Sequence, residues 1–148
     1  MQNILDTPES AERKLDYAGF WIRLAALIID SIILYAINFV VIYAIGFESL
    51  LDPSSILVYY AVTLVTYLIY FAAFESSSRQ GTPGKMAVGI KIGKENGEPI
   101  SFANALGRYF AKLLSSLILC IGYLMAAWDD KKQGLHDKLA NTYVFYSK

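Results

Sequence analysis

Apolar residues gather in three long runs along the chain, and the polar residues around them fall into periodic patterns. Ala25 to Ile45 is built from Ile, Leu, Val, Ala and aromatics, interrupted by one charge, Asp30, and one amide, Asn38. Ile56 to Phe74 carries no charge. Both runs approach the roughly 20 apolar residues that a helix needs to cross a hydrocarbon core about 30 Å thick, and both are read as transmembrane helices. The third run, Leu113 to Trp128, is short for a span. Just upstream, Asn104, Arg108, Lys112 and Ser115 or Ser116 recur at spacings of three and four, while Phe102, Leu106, Phe110, Leu113 and Leu117 take the other side of the wheel. That pattern predicts an amphipathic helix from about Ser101, lying at the membrane interface. The apolar segment after it either turns back near Ile121 and Gly122 or makes a third crossing. Turning back is preferred, because one crossing would export Lys131, Lys132 and Lys138.

A different period appears between the second span and the amphipathic helix. Met86, Val88, Ile90 and Ile92 alternate with Lys85, Ala87, Gly89 and Lys91, and Asn96-Gly97 supplies a hairpin turn. Pro99 restricts the returning strand, and Thr142 to Tyr146 has the β-branched and aromatic character of a third. The expected fold is therefore an all-α membrane protein: two transmembrane helices, an amphipathic helix and a third short apolar segment, re-entrant or spanning, with a small cytoplasmic β-hairpin or sheet. By residue number, a polar segment 1–16 precedes a single membrane domain over 17–146.

Composition agrees with lipid as the solvent: 55% hydrophobic, 14% aromatic, mean hydropathy +0.40. Thirteen basic and thirteen acidic residues cancel, so nothing global attracts nucleic acid. The distribution of charge is more informative than its sum. Arg13, Lys14 and Arg23 precede the first span and Arg79, Lys85, Lys91 and Lys94 follow the second, whereas the segment between the spans offers Glu48 and Asp52 without a basic residue. The positive-inside rule then makes the N-terminus cytoplasmic. Met1 to Lys14 lacks the apolar core of a signal peptide, so the first helix is expected to stay in the protein. Cys120, the single cysteine, lies in an apolar run and reads as packing. Trp21, Tyr59 and Trp128 near the ends of apolar runs are expected interface anchors.

Asp30 is the residue whose position asks for an explanation. Counting about 1.5 Å per residue from Ala18, it lies about 18 Å deep and Arg23 about 8 Å deep, so Arg23 can reach the interface and Asp30 cannot. A central charge costs about 2.5 to 3.5 kcal/mol on insertion scales, so Asp30 must face protein or water, pair, or take up a proton. Arg23 stands two helical turns before it on nearly the same face, and Asn38 extends the stripe. One reading makes Asp30 a proton or cation site biased by Arg23, with Arg108 or Asp137 contributing; the other makes Arg23 and Asp30 an ion pair that fixes helix register. Arg108 and Lys112 either grip anionic headgroups or form a solvated face. His136-Asp137 is the one place that hints at metal or acid–base chemistry, but a lone histidine favours a cap or ion-pair role. Gly81-Thr82-Pro83-Gly84-Lys85 does not fit a phosphate loop, because Ser78 and Met86 stand where Gly and Ser or Thr are required. The glycines and proline are expected only to turn the chain. No catalytic constellation can be assembled, so no enzyme, cofactor or metal is expected.

Three groups of residues, in this order and spacing, carry a likeness to a known family. They are Gly19-Phe20-Trp21-Ile22-Arg23 with Asp30, Gly81-Thr82-Pro83-Gly84-Lys85-Met86, and Lys132-Gln133-Gly134-Leu135-His136-Asp137 with Ala140 and Thr142. Over Tyr17 to Phe145 the chain resembles the RDD family of bacterial membrane proteins, named for an arginine and two aspartates. The resemblance places these on Arg23, Asp30 and Asp137, with Asp129 a neighbouring candidate. It implies a multi-pass protein of the bacterial inner membrane for which transport is the usual suggestion. Expected partners are membrane lipids and further copies of the chain or another membrane protein. A scaffold that recruits lipid or a protein partner through the sheet and the basic helix is the alternative to a small permease.

Overall fold

A computed structural model describes residues 15–118 and 121–147; Cys120 and nearly all of the polar N-terminal segment lie outside them. Helix α1, Phe20–Ile45, ends at Gly46, whose φ of 90° breaks the helix at low steric cost for a residue without Cβ. A short 3-10 turn, Phe47–Leu51, leads to α2, Pro53–Ser76. The start of α2 is written in the sequence: Pro53 occupies the first turn and the Asp52 carboxylate accepts from Ser55 N at 2.9 Å. Both helices are long and apolar enough to cross a membrane.

Their burial patterns fit lipid as surroundings. On α1 the buried residues are Ala26, Asp30, Leu34 and Asn38, a single stripe at every fourth position. Ile32, Tyr35, Phe39, Val40 and Tyr43 are exposed, and on α2 so are Leu57, Val58, Leu64, Val65 and Ile69. Such surfaces would be a liability in water and are ordinary against acyl chains.

After α2 the chain forms α3, Pro83–Ala87, and strand β1, Ile90–Gly93, then α4, Phe102–Leu117. Helix α5, Ile121–Leu124, continues into a 3-10 turn, Met125–Ala127; α6, Leu135–Leu139, and strand β2, Tyr143–Tyr146, complete the chain. The β1 and β2 strands pair antiparallel, with Ile92 opposite Val144, and Tyr17 bridges Phe145. Ala18, Ala26, Ala72, Ile90, Ile92, Ile100, Ala105 and Val144 form the core that joins this sheet to the feet of α1, α2 and α4.

The chain before α1, the segment after α2 and strand β2 meet at one end of the molecule. Helix α4 and the α5 segment are bent by 114° to each other, the geometry of a broken span or a re-entrant loop.

Two sequence expectations are corrected. The expected strand from Lys85 is helical over Pro83–Ala87, because Thr82 and Pro83 supply a cap and a first-turn proline. Extended backbone begins only after Gly89, at φ 72°. The Asn96-Gly97 turn exists, with Gly97 N donating to Lys94 O and Lys94 N to Glu98 O, yet among the described residues no strand returns along β1. The C-terminal strand takes that partnership, and Ile92 N donates to Gln80 O. The second correction concerns α4, whose polar face points inward: Arg108 is 1% exposed, whereas Phe110, Leu113, Leu114 and Leu117 are exposed. An amphipathic helix turns its apolar side to protein when water is outside, and away from protein when lipid is outside.

Candidate functional site

Asp30 sits on α1 where α3 presses against it. Its Oδ1 accepts from Gly84 N at 2.8 Å and from the Tyr70 hydroxyl at 2.9 Å, and its Oδ2 accepts from the Thr82 hydroxyl at 2.5 Å. Local chemistry explains the cradle. Thr82 caps α3, so its hydroxyl is held at the helix start, and Pro83 in the first turn leaves Gly84 to present its free amide. A Cβ on Gly84 would overlap the Ala26 carbonyl oxygen and fall 2.7 Å from the Asp30 carboxyl carbon, so only glycine permits this approach. The sequence reading that these glycines merely turn the chain is therefore incomplete.

Arg23 does not pair with Asp30. Its Nε donates to Ala18 O at 2.9 Å, Nη2 donates to Lys132 O at 2.5 Å, and Nη1 bonds the Asp137 carboxylate. Side chains on a helix lean toward its N-terminus, so Arg23 reaches back to the interface while Asp30 lies about two turns beyond it. Asn38 is satisfied separately, donating to Leu34 O at 2.9 Å and accepting from the Thr63 hydroxyl at 3.0 Å.

A second, ionic cluster lies where α2, α4 and α6 converge. Glu75, in the last turn of α2, is buried and receives Lys85 at 2.6 Å, Lys112 at 3.0 Å and Arg108 at 3.1 Å. Arg108 continues to Asp137 at 2.5 Å and also donates to the Thr142 hydroxyl. Asp137 thus joins Arg23 to Arg108, and it accepts from Gly134 N at 3.1 Å to close the start of α6. Burial alone would raise the Asp137 pKa, but the Arg108 and Arg23 guanidiniums around it hold the carboxyl well below its ordinary range. Burial pushes the His136 imidazole down to about 3, so this ring is neutral; its Nδ1 has no hydrogen-bond partner among the described residues.

Of the residues singled out from sequence, Arg23, Arg108 and Asp137 meet in one network, with His136 at its edge; Asp30 and Asn38 lie elsewhere on α1. Asp129 is outside, paired with Lys138 and accepting from Gln133 N at 3.1 Å. Sequence reasoning missed Glu75, Lys85, Thr82, Gly84 and Tyr70 as partners. Glu75 had a readable signal, being the first charge after a run without any, on the helix end that returns to the basic side. Thr82-Pro83 carried a helix-start signature. The pairing of Arg108 inward had none, since a helical wheel does not say which face meets protein.

Two long apolar helices around a buried carboxylate, joined by an ionic knot to a small polar layer, define a small integral membrane protein. Residues 17–141 match the RDD family model, and the chain belongs to that family. It is 34% identical to the uncharacterized protein YxaI of Bacillus subtilis (strain 168), over 87% of this chain and 97% of that protein. It is 31% identical to the uncharacterized membrane protein YteJ of the same organism, over 99% of this chain and 92% of that protein. The proline-rich antigen of Mycobacterium leprae is 32% identical over 51% of this chain, but only 31% of that longer protein. No solved structure matches the chain.

Proposed function

We propose that this RDD protein is a small transport protein of the bacterial cytoplasmic membrane in which Asp30 carries a proton. The observation behind this reading is a carboxylate 1% exposed inside a span, held by three neutral donors, with no cation within ion-pair distance among the described residues. Ionisable residues inside transmembrane segments are rare and mark ion pathways and proton relays among their functional uses. The cradle also favours a proton over a metal cation. The Gly84 amide can only donate, and it occupies Oδ1, so that side repels a cation. The Thr82 hydroxyl at Oδ2 can reverse, donating to a carboxylate and accepting from a carboxylic acid. Two helices enclose little volume, so a pathway requires several copies of the chain. In the scaffold alternative the basic helix offers lipid Lys112 and not Arg108, which faces inward.

Asp30→Asn tests the reading. Asparagine can place its carbonyl at Oδ1 and its amide against Thr82, so the protein is expected to insert and melt near the wild-type temperature in detergent. In proteoliposomes, proton-coupled flux is expected to disappear. Wild-type flux from a well-folded Asp30→Asn protein would exclude Asp30 as the carrier.

Orientation follows from the Lys and Arg distribution. Reporter fusions before residue 1 and after residue 148 are both expected to report the cytoplasm. Reporters on opposite sides would overturn the shared location of the two ends.

A further inference from the structure

The ionic cluster is not neutral. Four cations, Arg23, Lys85, Arg108 and Lys112, converge on two carboxylates, Glu75 and Asp137. Counting Asp30 as a third carboxylate still leaves one positive charge over. Uncompensated buried charge is costly, so a surplus of this kind calls for an external anion. The surplus is localised. Lys85 and Lys112 give one N–H each to the same oxygen, Glu75 Oε1, and both ammonium groups stand over the Phe71 ring, 5.9 and 4.5 Å from its centroid. An ammonium has three N–H donors, so each lysine has capacity beyond Glu75.

Lys112 is where the cluster opens, being half-buried while Arg108 and Glu75 are enclosed. Its surroundings select the kind of anion. Phe110, Leu113, Leu114 and Leu117 on the same helix are exposed apolar side chains, and the cluster lies at the end of α2, where a spanning helix meets the headgroup layer. An anion arriving with acyl chains covers those side chains; one arriving from water does not.

We infer that Lys112, with Lys85 behind it, is a site for the phosphate of an anionic phospholipid whose acyl chains lie along the exposed face of α4. The lipid supplies the missing negative charge, and its headgroup joins α3 and α4 through Lys85 and Lys112, the two lysines that meet on Glu75 of α2. This site is separate from Asp30 and stands whether or not Asp30 carries a proton.

The test uses the purified full chain in a neutral detergent, with phosphatidylglycerol, phosphatidylcholine of the same acyl chains, or inorganic phosphate added. Phosphatidylglycerol is expected to raise the melting temperature and to remain bound in native mass spectrometry, whereas the other two do neither. Lys112→Gln should weaken phosphatidylglycerol binding roughly fivefold, the factor given by a single basic residue at an anionic surface. Lys112→Arg should retain binding, and Lys94→Gln, an exposed lysine paired with Glu98, should behave as wild type. Should Lys112→Gln not fold, acylation of Lys112 in the wild-type protein, read by mass spectrometry, is expected to be slowed by phosphatidylglycerol. Equal effects of the two lipids, equal effect of inorganic phosphate, undiminished binding by folded Lys112→Gln, or unprotected acylation would each overturn the proposal.

Discussion

Glu75→Gln is expected to lower the stability of the detergent-solubilised protein by about 3 to 5 kcal/mol, the range for breaking a buried ion pair from one side. The reason is the imbalance of the cluster. Glu75 is the carboxylate on which Lys85, Arg108 and Lys112 meet, and losing it leaves three cations facing one another in a dry site. Removing a cation moves the same cluster toward neutrality. Lys112→Gln, at the edge of the cluster where 16% of the side chain is exposed, is therefore expected to cost clearly less than Glu75→Gln. Combining Glu75→Gln with Lys112→Gln should recover part of the loss, a coupling visible in a double-mutant cycle. Thermal or denaturant unfolding followed by helix content measures all three. A Glu75→Gln protein as stable as wild type would mean that the lysines find another counter-charge or turn out to the interface.

Gly84→Ala should be the most damaging single methyl group in the protein, costing about 1 to 3 kcal/mol through overpacking. The added carbon has no space between the Ala26 carbonyl and the Asp30 carboxyl, so α3 must back away from α1. That movement lengthens the Gly84 amide bond to Asp30 and draws Lys85, the next residue, away from Glu75. Gly107→Ala is the control. Nothing lies within 4 Å of a Cβ there, and α4 is helical at that point, so alanine should be neutral or stabilising by up to about 1 kcal/mol. The two melting temperatures, compared in one detergent, decide the matter. Similar behaviour of both variants would rule out the close approach of α3 to α1.

Much of the architecture needed only the linear pattern. Ile56 to Phe74 had to span, because a long run without charge has no better place than lipid, and Asp52-Pro53 marked where that helix starts. The alternation around Ile90 and the β-branched C-terminus located the two strands, though not their partnership. Hydropathy also put Asp30 at a depth where its carboxylate needed protein around it. Sequence alone could not say which protein groups these would be. The natural guess, Arg23, failed because a residue two turns earlier on the same helix leans the other way and finds Asp137, 114 positions along the chain. Asp30 is met instead by a backbone amide and two hydroxyls, groups that carry no charge and leave no trace in a charge pattern. The inward turn of Arg108 is of the same kind: periodicity defines a helix's two faces, and only packing against α2 and α6 decides which one is buried. Hydrophobicity acts residue by residue and survives in the linear order, whereas pairing depends on distances that exist only after the helices have assembled.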